Sequence, residues 1–285
     1  MDVPFFKNLP ASTLALFKEK ETSVVGIDFG SSSLKMVQLK KVKERAVLQT
    51  YGELALGPYG GGEIGKTAKL VDQKAVEMIK DLMKEANITS RHAVVSIPLR
   101  SSFITLASFP IMSDKDLDEA IPYEARRYIP VPTSEVLMDW WVLPPGISGW
   151  ADKDEGFAKE RKFSEVLLVA IHRDVVEKYQ NILKEAGMES SSFEIEAFSQ
   201  VRSLLSREVA PVLIVDLGAS SAKVTLVDYG IVRLAHNIDR GFQDLTQALS
   251  RALAAFDRTV FDAAVDGIGA LGAAASRVKA WIDRT

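Results

Sequence analysis

Two short segments of the chain carry the residue types that bind phosphate groups. Residues 28–35 read DFGSSSLK and residues 216–223 read DLGASSAK. A turn built of glycine and serine presents backbone N–H groups and hydroxyls to phosphate oxygens, and glycine permits close approach of the ligand. An aspartate at the strand end repels phosphate unless a divalent cation lies between them. The pair Asp28 and Asp216 therefore predicts Mg²⁺ held between the two segments.

The two segments belong to a longer internal repeat. Residues 24–39 (VVGIDFGSSSLKMVQL) align at constant offset with residues 212–227 (VLIVDLGASSAKVTLV). Two unrelated Asp-Gly hairpins are the alternative, but self-similarity at fixed spacing favours a duplicated unit. The second copy has Ala219 where the first has Ser31, which removes one hydroxyl. The predicted nucleotide-binding residues are Asp28, Gly30, Ser31, Ser32, Ser33, Lys35, Asp216, Gly218, Ala219, Ser220, Ser221 and Lys223.

The elements around these segments alternate between strands and helices. This order predicts a mixed sheet in an α/β fold. Beyond the repeat, strands are predicted at 47–56, 93–97, 101–109, 137–143 and 165–171, and helices at 73–86, 113–128, 174–186 and 199–207.

Composition excludes several classes of protein. The 285 residues have a net charge of −3, which does not indicate a nucleic-acid-binding protein, and they include no cysteine, which excludes disulfides and thiol nucleophiles. No signal peptide and no bilayer-spanning run is recognisable, so a soluble cytoplasmic protein is expected. The three histidines are isolated in sequence, and structural roles are favoured for them.

The two glycine–serine segments resemble the phosphate loops of the actin-like ATPase superfamily, whose lobes are ribonuclease H-like. Residues 239–246 (DRGFQDLT) resemble the glycine turn that opens the next helix in those proteins, which adds Gly241 to the predicted site. More narrowly, the chain resembles the PilM family of type IV pilus assembly, a relative of FtsA, over about residues 24–252. The residues that carry this resemblance are GID at 26–28, SSSLK at 31–35, EARRYIPVP at 124–132, Asp139-Trp140 and residues 194–203.

The resemblance implies a fold and a division of the chain. We expect an α/β, actin-like fold with duplicated lobes and a small inserted subdomain. The first lobe is expected at 24–90 and 165–207, and the small subdomain at 91–164. The second lobe is expected at 211–285, incomplete and ending in a helical tail, whose apolar residues recur every three or four positions from Leu253 to Ile282.

The resemblance also implies a function. A PilM-like protein is a cytoplasmic scaffold at the inner face of the plasma membrane, in a type IV pilus or related secretion platform. It is expected to bind ATP and Mg²⁺ between its lobes and the cytoplasmic N-terminal peptide of a PilN-like membrane protein, near the aromatic residues of the small subdomain. Other platform proteins and self-association are further expected partners, nucleic acid is not, and contact with the membrane is expected only through partners.

Several alternatives remain open from the sequence. The chain is at most a weak ATPase, with Glu196 or Gln200 as candidates to orient a water. A sugar or carboxylate kinase of the same superfamily, or a degenerate member that binds no nucleotide, are rival interpretations. Residues 60–67 (GGGEIGKT) match the phosphate-loop pattern of nucleoside triphosphatases, but a strand does not lead directly into them, which favours a surface loop.

Overall fold

The structure, a computed structural model, describes residues 23–43, 45–68, 71–144, 163–205 and 210–266; for residues 114 and 255–266 it describes the backbone alone. Eleven β-strands and five α-helices are found in these ranges. Among the helices described there, none combines the length and the apolar character needed to cross a bilayer.

The first lobe is built on a five-stranded sheet. Its strand order is β3-β2-β1-β4-β8. The three strands β1, β2 and β3 form an antiparallel meander, whereas β4 and β8 add in parallel. Helices α1 and α3 pack on one face of the sheet, because their apolar residues share a core with alternate residues of β1 and β2. The elements of this lobe are β1 (Ser23–Phe29), β2 (Ser33–Val42), β3 (Arg45–Ala55), α1 (Asp72–Glu85), β4 (His92–Ile97), α3 (Arg173–Glu185), β8 (Glu189–Ile195) and α4 (Glu196–Leu204).

The small subdomain is an antiparallel sheet of three strands with one helix. Strands β5 (Ser102–Pro110) and β6 (Val136–Val142) flank β7 (Phe163–His172). Helix α2 (Asp114–Glu124) begins at the N-cap Ser113, whose hydroxyl accepts the Asp116 N–H, and it contains Pro122. One face of the sheet packs on α2, and the other face shares a core with the second lobe.

The second lobe repeats the opening of the first. Strands β9 (Val212–Leu217), β10 (Ala222–Asp228) and β11 (Ile231–Ile238) form an antiparallel sheet in the order β11-β10-β9. Helix α5 (Phe242–Asp266) follows. Ile214, Val227 and Val232 lie on the face that packs against the small subdomain and α4.

Strand pairing corrects the expected division of the chain in two places. Residues 92–97 were expected in the small subdomain, but β4 pairs with β1 and is an inner strand of the first-lobe sheet. Residues 165–172 were expected in the first lobe, but β7 pairs with β5 and β6 and is the central strand of the small subdomain. Both errors have one cause, because an apolar strand pattern does not specify its pairing partner.

The structure shows a loop at the glycine-rich residues 60–67, and it describes only part of the expected helical tail. Strand β3, which precedes residues 60–67, is an edge strand, and the next helix begins only at Asp72, so the segment is a loop without the strand–loop–helix arrangement of a nucleoside triphosphatase. Of the expected tail, α5 continues to Asp266. Residues 267–285, with the apolar positions up to Ile282, lie outside the described residues.

Candidate functional site

The two repeat loops face one another across a cleft of about 870 Å³ between the lobes. Strands β1 and β9 deliver Asp28 and Asp216 to its walls, and the turns that follow these strands line it. The predicted residues that line the cleft are Asp28, Gly30, Ser31, Ser32, Lys35, Asp216, Gly218, Ala219, Ser220, Ser221 and Lys223. Eleven residues chosen from sequence therefore converge on a single cavity.

The two turns have the same tight geometry. A Cβ atom on Gly30 would lie 2.8 Å from the Ser33 carbonyl oxygen, and one on Gly218 would lie 2.8 Å from the Ser221 carbonyl oxygen. Both contacts are shorter than real Cβ atoms show, so each position requires glycine. The duplication is thus conserved in backbone shape as well as in residue type.

Backbone contacts hold each turn from behind. In the first lobe, Leu56 donates its N–H to the Ser32 carbonyl at 2.8 Å. In the second lobe, Phe242 and Gln243 at the start of α5 donate to the carbonyls of Gly218 (2.9 Å) and Ala219 (3.0 Å). Gly241 makes this possible, because a Cβ there would lie 2.4 Å from the Ala219 carbonyl oxygen. Gly241 therefore supports the second turn rather than lining the cleft.

Asp28 carries a partly desolvated charge at the cleft. Burial raises its pKa, and the charges of Lys35 and Lys223 lower it only in part, while the negative charge of Asp216 raises it further. The Lys35 Nζ lies 3.8 Å from the Asp28 carboxylate, and 45% of the Asp28 side chain is exposed. The influence of residues 216 and 223 on residue 28 shows that the two repeat copies share one electrostatic site.

Lys223 forms the tighter ion cluster of the cleft. Its ammonium donates to Glu196 Oε2 at 2.9 Å and to Asp216 Oδ2 at 3.2 Å, and only 17% of its side chain is exposed. Burial alone would lower the pKa of Lys223, but the hydrogen bonds and charges of Glu196 and Asp216 outweigh it and raise the pKa. Because Glu196 belongs to the first lobe, this cluster joins the lobes.

The two residues considered for orienting a water are both engaged. Glu196 Oε1 accepts the Leu99 N–H at 2.6 Å, and its other oxygen accepts from Lys223. Gln200 Nε2 donates to Asp216 Oδ2 at 2.8 Å. In this arrangement both side chains position charged groups of the cleft.

The acid pair fits a magnesium ion that a phosphate ligand brings with it. Mg²⁺ in phosphate sites is commonly held by one or two carboxylates together with phosphate oxygens and waters. Asp28 and Asp216 supply two carboxylates in one cleft, and the raised pKa of Asp28 shows that its nearby lysines leave its charge incompletely compensated. No cluster of three or more His, Asp or Glu side chains suited to a metal occurs in the described ranges.

Some lining residues were not predicted, and a second predicted residue, besides Gly241, does not line the cleft. Ser33 is 6% exposed and does not line the cleft. Ser96, Arg100 and Asn237 do line it. Ser96 is opposite Asp28 in the parallel pair β1–β4, and Asn237 is opposite Lys223 in the pair β10–β11. These residues were missed because their place in the cleft depends on strand register, which the sequence pattern does not specify for β4.

The aromatic residues of the small subdomain divide into core and surface. Phe103 and Trp140 pack against its core, and Trp140 also donates its indole N–H to Asp118 at 3.3 Å. Trp141 packs against the core shared with the second lobe. Tyr123, in contrast, is 72% exposed. Phe103, Trp140 and Trp141 therefore pack against cores, and Tyr123 lies on the surface.

A second depression lies in this subdomain. It is lined by Arg126, Ile129, Pro130, Val131, Pro132, Thr133 and Ser134, and its volume is about 590 Å³. Helix α2 ends just before it, and the prolines hold the following backbone extended. Five residues of the segment EARRYIPVP, singled out in the sequence, thus line a recess of mixed polar and apolar surface with one basic side chain.

Comparison with known proteins identifies the family. The family model described as type IV pilus assembly protein PilM matches residues 26–263, which includes both phosphate-loop segments and the small subdomain. The chain belongs to the PilM family. The predicted membership is confirmed, and with it the actin-like α/β fold.

One solved structure supports the fold of this PilM-family chain, and two others have a lower similarity to it. A structure of a PilM–PilN type IV pilus biogenesis complex is 21% identical with a TM-score of 0.63, over 93% of this chain and 76% of that chain. The cytoplasmic domain of EpsL, an inner-membrane component of the type II secretion system of Vibrio cholerae, is 15% identical (TM-score 0.46, 76% of this chain, 71% of that chain). The ethanolamine utilization protein EutJ from Carboxydothermus hydrogenoformans is 12% identical (TM-score 0.44, 83% and 58%).

Proposed function

We propose that this PilM-family chain is a nucleotide-responsive scaffold of a type IV pilus or related secretion platform, at the cytoplasmic face of the plasma membrane. One observation carries the proposal: the two copies of the duplicated glycine–serine turn line a single cleft between the lobes. Backbone donors from two turns in one cleft suit a polyphosphate chain, which is the part common to all nucleoside triphosphates.

The proposed ligand is ATP with Mg²⁺. The turns beginning at Gly30 and Gly218 would hold the phosphates, with Lys35 and Lys223 beside them, and Asp28 and Asp216 would hold the metal directly or through water. The ion supplies neutralisation of the phosphate charge that the two carboxylates would otherwise repel. Because Glu196 and Gln200 are engaged with Lys223 and Asp216, the role proposed for the nucleotide is conformational, with at most weak hydrolysis.

The nucleotide claim is tested by thermal unfolding of the full chain with and without ATP and Mg²⁺. Ligand that binds only the folded state stabilises it, by about 2.7 kcal/mol at a hundredfold excess over Kd, so a rise in Tm is expected. Asp216→Asn should remove most of the rise, whereas Asp72→Asn, an exposed acid of α1 outside the cleft, should keep it. An unchanged Tm at millimolar ATP·Mg²⁺ would favour the degenerate, non-binding alternative.

The proposed macromolecular partner is the cytoplasmic N-terminal peptide of a PilN-like inner-membrane protein. The solved complex of a PilM with PilN supports this, because that PilM shares the fold of this chain. We place the peptide at the recess around residues 129–134, where apolar surface and Arg126 lie together. Contact with the membrane would then occur through the partner. Other platform proteins and a second copy of the chain are further proposed partners.

A labelled partner peptide tests this part by fluorescence anisotropy. Val131→Asn, in the recess, should weaken binding at least tenfold, whereas Tyr123→Ser, on the exposed side of α2 outside the recess, should leave it unchanged. Equal affinity of both variants would place the peptide elsewhere.

A further inference from the structure

The second-lobe sheet has one face in the core and one face exposed. Val215 and Leu213 on β9 pair across the strands with Val224 and Leu226 on β10, so all four side chains lie on the same face. We call this the open face; it comprises Leu213, Val215, Leu217, Val224, Leu226, Leu234 and Ile238. Its large residues on β9 and β11 are between 41% and 59% exposed. An apolar patch of this extent on a folded protein marks a surface that another element covers.

The internal repeat shows what kind of element that is. With the offset that aligns the two copies, Leu213 and Val215 correspond to Val25 and Ile27, which are 0% and 2% exposed. In the first lobe these residues pack against the apolar side of helix α1. The face equivalent to the open face is therefore covered by an amphipathic helix in the first lobe.

Helix α5 has the apolar side that such a face requires. It follows the third strand of its lobe, as α1 does, and Phe242, Leu245, Leu249 and Leu253 recur along it at intervals of three or four. These four residues are 51%, 63%, 48% and 54% exposed. Every residue from 245 to 254 is exposed, so this part of α5 does not lie on its own sheet.

The start of α5 explains why it leads away from its own sheet. Phe242 N–H is bonded to the Gly218 carbonyl, and the Gln243 side chain contacts the first lobe, where Thr67 Oγ1 donates to Gln243 Oε1 at 2.5 Å and Gly65 O accepts from Nε2 at 3.3 Å. These contacts direct the first turn of the helix toward residues 65–67 of the other lobe. The helix and the face that would suit it are thus both present in one chain, and both are exposed.

We propose that two copies of the chain associate by exchanging α5, with the apolar side of each helix packed on the open face of the other copy. Such an exchange is closed by a two-fold axis, because each copy offers both halves of the contact. Five large residues of the open face, on β9 and β11, and the four of α5 are each about half exposed. Together they correspond to roughly 800 Å² of surface per copy, which is what a stable interface buries on each partner. This inference gives a surface to the self-association proposed above, and it does not depend on nucleotide or on the membrane partner.

Cross-linking tests the exchange directly, because the natural chain has no cysteine. Leu249→Cys and Val215→Cys are prepared as separate full-length proteins, mixed and oxidised. A disulfide-linked heterodimer on a non-reducing gel is expected from the mixture, well above the yield with Lys84→Cys, an exposed position on α1, in place of Leu249→Cys. A yield no higher than that control overturns the proposal.

The double variant Leu249→Cys/Val215→Cys distinguishes the exchange of α5 between two copies from the packing of α5 on the sheet of its own chain. Exchange predicts covalent dimers of the double variant at protein concentrations where the wild type associates. An oxidised monomer with an internal disulfide would show that α5 covers its own sheet, and would overturn the proposal.

Sedimentation gives a second, independent measurement. The molar mass obtained by sedimentation is expected to be twice 31.3 kDa for the wild-type chain at micromolar concentration. For Leu245→Lys/Leu249→Lys, the mass of a monomer is expected. Both positions are exposed, so the variant should keep its circular dichroism spectrum and its ATP response. A wild-type chain that remains monomeric at concentrations tenfold higher overturns the proposal.

Discussion

Lys35 and Lys223 occupy equivalent positions in the two repeat copies but form different ion pairs with nearby Asp and Glu side chains. Lys35 lies 3.8 Å from both Asp28 and Glu53, and about half of its side chain is exposed. Lys223 makes two hydrogen bonds to Glu196 and Asp216 and is largely buried. The same residue in the same local motif is therefore a solvated counter-ion in one lobe and a link between lobes in the other.

This difference predicts unequal costs of removing the two lysines. Lys223→Met leaves Glu196 and Asp216 partly buried without their cation, so a loss of about 3 kcal/mol in the free energy of unfolding is expected. Lys35→Met should cost less than about 1 kcal/mol, as exposed ion pairs do. Urea denaturation measures both. The second change Glu196→Gln should recover part of the Lys223→Met loss; equal losses for the two lysine variants would contradict the assigned geometry.

Asp28 is expected to show a conflict between stability and binding. Because its pKa is raised in the folded protein, its ionised form destabilises the fold above that pKa, and the cost disappears as the pH falls below the unfolded value of 3.8. Asp28→Asn should therefore raise the free energy of unfolding of the ligand-free protein at pH 7 by less than about 1 kcal/mol, given the exposure of residue 28. The Tm should rise accordingly, and this gain should vanish in acid. The same variant should lose the Tm rise with ATP·Mg²⁺. A lower Tm at pH 7 in EDTA would contradict the burial of this charge.

At the scale of elements, the two glycine–serine turns depend on the segments behind them. The second turn is held by the start of α5, and that contact needs the missing side chain of Gly241. The first turn is held by the backbone that follows β3. The loops are thus rigid because a third segment of each lobe packs on them, which suits a site that is formed before its ligand arrives.

Gly241→Ala tests this support. Its Cβ would meet the Ala219 carbonyl at 2.4 Å, so the turn or the helix start must move, with a loss of about 1–3 kcal/mol and weaker binding of ATP. Gly62→Ala is the matched control, because the nearest atom to its Cβ is at 3.6 Å. Thermal unfolding and nucleotide titration of both variants should separate them; a neutral Gly241→Ala would show that the contact is not rigid.

At the scale of the whole molecule, one core joins the small subdomain to the second lobe. Leu167 and Ile171 of β7 pack with Val227 and Ile231 of the second-lobe sheet. If the proposed nucleotide moves the second lobe, this core would carry the movement to the subdomain that contains the recess at residues 129–134. This shared core is the physical connection that the scaffold proposal needs between its two ligands.

The shared core predicts joint unfolding. Val227→Ala removes buried methyl groups in the second lobe, with an expected loss of about 1–3 kcal/mol. Tryptophan fluorescence, to which Trp140 and Trp141 of the small subdomain contribute, should report the same shift in midpoint as circular dichroism. Leu204→Ala, 64% exposed, should change neither. A fluorescence transition that does not move with Val227→Ala would separate the two units.

Much of the site was predictable because it is local. The strands, the turns with Gly30 and Gly218, and the Asp and Lys seven residues apart lie within sixteen residues of each other in each copy, and hairpin geometry is set by such local residues. Ser96 and Arg100 were not predictable in the same way. They reach the cleft through the parallel placement of β4, which depends on a crossover and on the packing of α1.

The sequence by itself determined the duplication, the residue types of the two glycine–serine turns and the family, because these reside in residue types at short, fixed spacings. Only the tertiary structure decided that the two loops share one cleft, that Lys223 joins Glu196 to Asp216 across the lobes, and that β4 and β7 exchange their expected subdomains. It also decided that, among the described residues, one face of the second-lobe sheet and residues 245–254 of α5 are exposed. These facts depend on contacts between residues distant in the chain, and local patterns specify which surfaces are apolar but not what they pack against.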